Sequence, residues 1–231
     1  EDGNCTVCGE LYSFPVWVAE NQITGENMED ILGDGTASYD EATNTLTLNG
    51  FTYDGEEAGV YSEIPLNIVL VGENTITSGY DGFWFNIVCG AITISGTGSL
   101  TMDSADECID VDALGDVDLT IGGSVTINMI NENDQEGIYL TGNTADLVIK
   151  DSAKLNIGTE AAPIDEECIY VNGYISGSVT ISGNANVHLE TTDEEGIYVY
   201  GDQESITITG GSVYIDATEE ALDANTITIT G

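Results

Sequence analysis

The sequence has no arginine, only two lysines (Lys150 and Lys154) and a single histidine, His188, set against 42 Asp plus Glu in 231 residues, for a formal charge of −40. Phosphate binding needs basic residues to displace counterions, so nucleic acid is excluded as a partner. Attraction to an anionic membrane is excluded on the same ground. No apolar run approaches the roughly 20 residues of a membrane-spanning helix. The N-terminus lacks the basic and apolar regions of a signal peptide, which reads as a leader already removed or as an excised fragment. The stop at Gly231, directly after the strand-like Thr226-Ile227-Thr228-Ile229-Thr230, favours a fragment. Cysteine is sparse: five residues, an odd number, define no disulfide framework. Cys5-x-x-Cys8 lacks two further zinc ligands and reads, within residues 1–13, as the tail of a preceding Cys-containing segment.

What the chain does have is 41% hydrophobic residues, gathered in short β-branched runs, so it can bury a core despite its charge. Those runs repeat. A first anchor recurs as Ile92-Thr93-Ile94, Leu119-Thr120-Ile121, Leu147-Val148-Ile149, Val179-Thr180-Ile181, Ile206-Thr207-Ile208 and Ile227-Thr228-Ile229, with gaps of 27, 28, 32, 27 and 21 residues. A second follows each across a short link that usually contains glycine: Leu100-Thr101-Met102, Val125-Thr126-Ile127, Leu155-Asn156-Ile157, Val187-His188-Leu189 and Val213-Tyr214-Ile215. A third follows an acidic turn, as in Cys108-Ile109-Asp110-Val111 and Gly137-Ile138-Tyr139-Leu140, with irregular earlier copies at Gly82-Phe83-Trp84-Phe85 and Gly59-Val60-Tyr61.

Strands this short form no stable sheet alone, but stacked coil upon coil each pairs in parallel with its copy about 4.8 Å away. The expected fold is therefore all-β: a right-handed parallel β-helix with three strands per coil, spanning residues 51–231. Residues 14–50 read as an N-terminal cap made of a strand at Phe14-Pro15-Val16-Trp17-Val18, a short helix over 26–32 and a hairpin over 37–49 turning near Ala42-Thr43-Asn44. Cys108 and Cys168 occupy a small-residue slot that holds Gly137 in the coil between them, and are expected to be free buried thiols.

Acids gather at one corner. Asp81, Glu107, Glu136, Glu167, Glu195 and Glu220 each stand two residues before the hydrophobic residue of the third anchor. Asp106, Asp134, Asp165, Glu166, Asp193, Glu194 and Glu219 surround them, and Asp110 and Asp223 follow within the anchor. Unit charges stacked about 4.8 Å apart repel by roughly 0.9 kcal/mol in water and roughly 3.5 kcal/mol at an effective dielectric of 20. Four neighbouring Glu pairs then cost about 4 to 14 kcal/mol, against a typical stability of about 5 to 15. Counter-charge must come from solution, and hard oxygen ligands at turns favour several Ca²⁺ ions. The plainer alternative is a solvated, salt-adapted surface.

The unit acid-acid-small-Ile followed by Ile-Thr-Ile-x-Gly-Gly-x-Val-x-Ile, clearest from Glu194-Glu195-Gly196-Ile197 through Ile215, resembles the repeat of bacterial right-handed β-helices known as carbohydrate-binding-domain proteins. The resemblance covers roughly residues 80–231. It implies a pectate-lyase-like architecture, calcium on the turns and binding of acidic polysaccharide such as polygalacturonate. This chain departs from the family in preferring Glu to Asp at the acid pair and in carrying Tyr at 139, 170 and 198.

Strand alternation turns Trp84, Tyr139, Tyr170 and Tyr198 outward, as an aromatic strip for sugar rings or as a self-stacking cover for the sheet. Thr-x-Thr pairs such as Thr207/Thr209 and Thr228/Thr230 admit an ice-binding alternative, which Val148 and Lys150 interrupt. Catalysis is not expected: lyases of this shape generally use Arg or Lys, and both lysines flank Asp151-Ser152-Ala153, away from the tyrosines. A hydrolase needs one carboxylate pair set apart from the rest, and none stands out. The expected protein is an extracellular or cell-surface, monomeric module that binds calcium and either binds polysaccharide or acts as a surface adhesin. The alternative of another class is a solenoid spacer.

Overall fold

The computed structural model describes residues 12–131 and 135–231. Cys5, Cys8 and Asp134 lie outside the described residues, as does nearly all of the segment read as an upstream tail. Among the described residues there is no helix, and the strands stack coil upon coil into parallel ladders, a β-helix.

The third anchors form one ladder, here the tyrosine ladder: β6 (Val60–Ser62), β9 (Phe83–Ile87), β12 (Ile109–Ala113), the first half of β15 (Ile138–Ile149), the first half of β17 (Ile169–Ile181), β19 (Ile197–Gly201) and β22 (Leu222–Asp223). The first anchors form the threonine ladder: β4 (Thr45–Asn49), β7 (Asn67–Val71), β10 (Gly90–Gly96), β13 (Val117–Ile121), the second halves of β15 and β17, β20 (Glu204–Ile208) and β23 (Thr226–Ile229). The second anchors make a separate 7-stranded sheet of β5 (Thr52–Gly55), β8 (Glu73–Ser78), β11 (Ser99–Ser104), β14 (Thr126–Ile130), β16 (Lys154–Ile157), β18 (Asn186–Glu190) and β21 (Ser212–Asp216). β15 and β17 run unbroken around the corner between the first two ladders, which joins those ladders into one sheet.

Register follows the repeat. Ile92, Leu119, Leu147, Val179 and Ile206 stand one above another and are fully buried. Alternation places such residues inside and the threonines between them outside. Each fully buried aliphatic side chain contributes about 1.5–3 kcal/mol. The columns, rather than any local contact, therefore hold the coils together.

The cap differs from expectation in two respects. Its hairpin is present, β3 (Ala37–Asp40) pairing antiparallel with β4, but β4 also pairs in parallel with β7 and is the first rung of the threonine ladder. The solenoid thus begins before residue 51. The expected helix over 26–32 is absent, and residues 25–36 form turns and bends instead. Helical bonding stops after Met28 N–H donates to Thr24 O, because Ile31 N–H donates to Ala37 O and Met28 O accepts from Tyr39 N–H. Gly33 and Gly35, at φ of +76° and +77°, reverse the chain, and Glu26, Glu29 and Asp30 repel at helical spacing. The strand expected at Phe14 to Val18 is β1 (Ser13–Val18). It forms a hairpin with β2 (Asn21–Thr24) and lies antiparallel on β6, closing the first edge of the tyrosine ladder.

Candidate cation site and aromatic column

The acidic corner is built by the backbone. The carbonyl of Asp81 accepts from Gly59 N–H, that of Glu107 from Gly82, that of Glu167 from Gly137, that of Glu195 from Cys168 and that of Glu220 from Gly196. Each acid is thus tied to the small residue of the preceding coil, and the column foreseen from spacing is in register. Buried polar side chains at the ends of the second-anchor strands pin the turns. Ser78 Oγ donates to Tyr80 O at 2.9 Å, Asn131 Nδ2 to Asp106 O at 2.6 Å and Thr191 Oγ1 to Glu166 O at 2.7 Å.

Among the described residues, two groups bring three carboxylates together, with one oxygen of each within 4.8 Å of the others: Asp81 with Asp106 and Glu107, and Glu194 with Glu195 and Glu219. The first is the more enclosed. Asp81 is 1% exposed, its carboxyl oxygens meet no N–H or hydroxyl donor, and the group they face is the Glu107 carboxyl. Asp110, also buried, leaves Oδ1 without a partner. Burial first, then the charges of Asp110 and Glu107, push Asp81 up to about 9. Burial, with Asp112 and Glu107, pushes Asp110 up to about 8.

Further along the column, burial and neighbouring glutamates raise Glu136 and Glu167 to about 7. Glu107 and Glu195 are raised too, again chiefly by burial. Asp165 and Glu166 flank Glu167 half-buried, whereas Asp193, Glu219, Glu220 and Asp223 are exposed at the last coils. The one ion pair among the described residues joins His188 to Glu190, so neither lysine neutralises the corner. Clustered carboxyl oxygens are the type of ligand that a hard divalent cation takes, and these two groups could hold one.

The outward residues of the tyrosine ladder form a single file: Trp17, Tyr61, Trp84, Asp110, Tyr139, Tyr170, Tyr198 and Asp223, each in register with the next. Tyr139, Tyr170 and Tyr198 stack on one another, with centroids 5.4 and 5.3 Å apart and planes tilted by 32° and 39°. The self-stacking arrangement is therefore present. The tilted rings are half-buried. Burial first, then the facing phenol, raises Tyr139 and Tyr170 to about 12. Trp84 belongs to a second stack with Tyr61 and Trp17, and Asp110 separates the two.

The sequence reading missed Trp17 and Tyr61, although Val16-Trp17-Val18 and Val60-Tyr61 share the apolar-aromatic alternation of Phe83-Trp84-Phe85. It also missed Tyr80, which packs edge-on against Trp84 at 5.3 Å. Cys108 and Cys168 are free and buried as expected, and Cys89 is free and exposed.

Fold and site together define a parallel β-solenoid with a carboxylate column along one corner. No family model, curated protein or solved structure matches the chain.

Proposed function

We propose that this chain is an extracellular calcium-binding solenoid module that holds acidic polysaccharide without cleaving it. The observation that carries the reading is Asp81, a buried carboxyl whose oxygens meet no N–H or hydroxyl donor, set against Asp106, Glu107 and the buried Asp110. Ionised carboxylates so placed are strongly destabilising unless a cation joins them. Calcium fits because its ligands are flexible and all oxygen. In this reading Asp81, Asp106, Glu107 and Asp110 hold one ion and Glu194, Glu195 and Glu219 hold another, while Glu136 and Glu167 extend the same charge between them.

The polysaccharide half rests on the Tyr139, Tyr170 and Tyr198 file beside these acids. Calcium bridges a uronate carboxylate to the protein, and the phenol edges contact the sugar. The repeat's resemblance to carbohydrate-binding β-helices points the same way. Catalysis forms no part of the proposal, since no arginine exists and both lysines belong to another region of the coil.

The test is retention on immobilised polygalacturonate with calcium and with a chelator. Calcium-dependent retention that is lost in Tyr170→Ala supports the module. Retention indifferent to both would leave the solenoid spacer as the better account.

A further inference from the structure

At the capped end of the tyrosine ladder, Trp17, Tyr61 and Trp84 form a fan, with centroids 5.2 and 4.5 Å apart and planes opened by 36° and 39°. Beside them lies a cleft of about 260 Å³, floored by Ala58 and rimmed by Glu20 and Glu57. The acidic rim is organised rather than incidental. Tyr53 Oη donates to Glu20 Oε1 at 3.1 Å and accepts from Glu57 N–H at 3.3 Å, so one phenol holds the Glu20 carboxylate and the Glu57 backbone.

Glu20 is held there at a conformational cost. It and Ala19 form the two-residue loop between β1 and β2, at φ of +65° and +46°. Such a loop calls for Asn or Gly, and side-chain-bearing residues at positive φ persist where the surroundings over-determine them. No lysine comes near the cleft, because Lys150 and Lys154 lie several coils away in sequence.

We propose that this cleft binds the ammonium group of a small organic cation, such as a quaternary ammonium compound. Aromatic rings attract a cation through their electron-rich faces. The two glutamates at the cleft supply opposite charge, which draws a cation and repels an anion there. An acidic sugar is disfavoured here for that same reason, so this site differs in ligand from the tyrosine file and goes beyond the function proposed above.

Trp17 and Trp84 are the only tryptophans in the chain, so intrinsic tryptophan fluorescence reports this cleft alone. The full chain in saturating calcium is titrated with choline, with its neutral isostere 3,3-dimethylbutan-1-ol, and with a neutral methyl glycoside, at constant ionic strength. Choline is expected to give a saturable change, and the neutral alcohol to bind roughly tenfold more weakly. Glu20→Gln, an exposed and near-isosteric change, is expected to weaken choline several-fold, whereas Tyr139→Ala leaves it unaltered. Equal binding of choline and the alcohol overturns the proposal. So does the absence of a saturable change with choline, or a response to the glycoside in its place.

Discussion

Asp110 lies close enough to Asp81 for its charge to help keep a proton on the Asp81 carboxyl, although the two residues belong to successive coils. Both are buried, and Asp81 Oδ1, Asp81 Oδ2 and Asp110 Oδ1 meet no N–H or hydroxyl donor. A pair of acids so placed demands either protons or a cation.

Calcium is therefore expected to raise the melting temperature. At a hundred times the dissociation constant, a ligand specific for the folded state adds about 2.7 kcal/mol, or about 5 to 10 °C for a chain of this size. Asp81→Asn removes the cost of protonating a buried carboxylate on folding and is expected to match or exceed wild type in chelator at pH 8, yet to lose most of the calcium increment. Thermal melts of both proteins, with and without calcium, check this. An unchanged melting temperature on chelation at low salt sinks the cation site.

In chelator, stability is expected to fall as pH rises from about 4 to about 9. Asp81 at about 9, Asp110 at about 8 and Glu136 and Glu167 at about 7 are all held above the ordinary carboxylate values of 3.8 for Asp and 4.5 for Glu. Across that window the folded chain binds more protons than the unfolded one, so the contribution is full below the unfolded values and is lost through the folded values. Urea midpoints at pH 5 and pH 8.5 measure it, and calcium is expected to narrow the difference. A midpoint that rises with pH in chelator contradicts the assignment.

Gly137→Ala is expected to destabilise by about 1–3 kcal/mol. A Cβ there meets Ile157 Cγ2 at 2.3 Å and the Cys168 carbonyl oxygen at 2.8 Å. Cys108 and Cys168 fill the equivalent slot in neighbouring coils, so the cost is local to this coil's packing. Urea denaturation gives the number, and a change below about 0.5 kcal/mol, the scatter of ordinary surface substitutions, argues against the packing.

Thiol labelling of the native chain, mapped by mass spectrometry, is expected to modify Cys89 quickly while sparing Cys108 and Cys168. Cys89 is exposed, whereas burial pushes the other two thiols up to about 12. A thiol held protonated and enclosed is a poor nucleophile. Rapid labelling of Cys108 in folded protein means that its coil opens.

Much of this was legible because a stacked solenoid writes its register into its repeat. The spacing of Ile94, Ile121, Ile149, Ile181 and Ile208 gave the threonine ladder rung by rung, and the Glu107 to Glu220 series gave the acidic corner. What stayed hidden lies where the repeat lapses. Trp17 reaches the aromatic file from an antiparallel cap strand, so no period led to it. The depth of Asp81, 1% exposed where the later acids of the column are more open, shows only after stacking. The segment over 26–32 has helix-forming residues, but its backbone groups bond to β3, a long-range preference that local pattern does not carry.

The hydrogen bonds that tie each acidic residue's carbonyl to the coil before it have a consequence for how such a surface diversifies. The interval between neighbouring carboxylates equals the interval between paired strands, and no side-chain substitution alters that pitch. Point mutation can tune or silence a rung. Valence changes only by gaining or losing a whole coil, so the capacity of the corner for multivalent ligands is quantised by duplication.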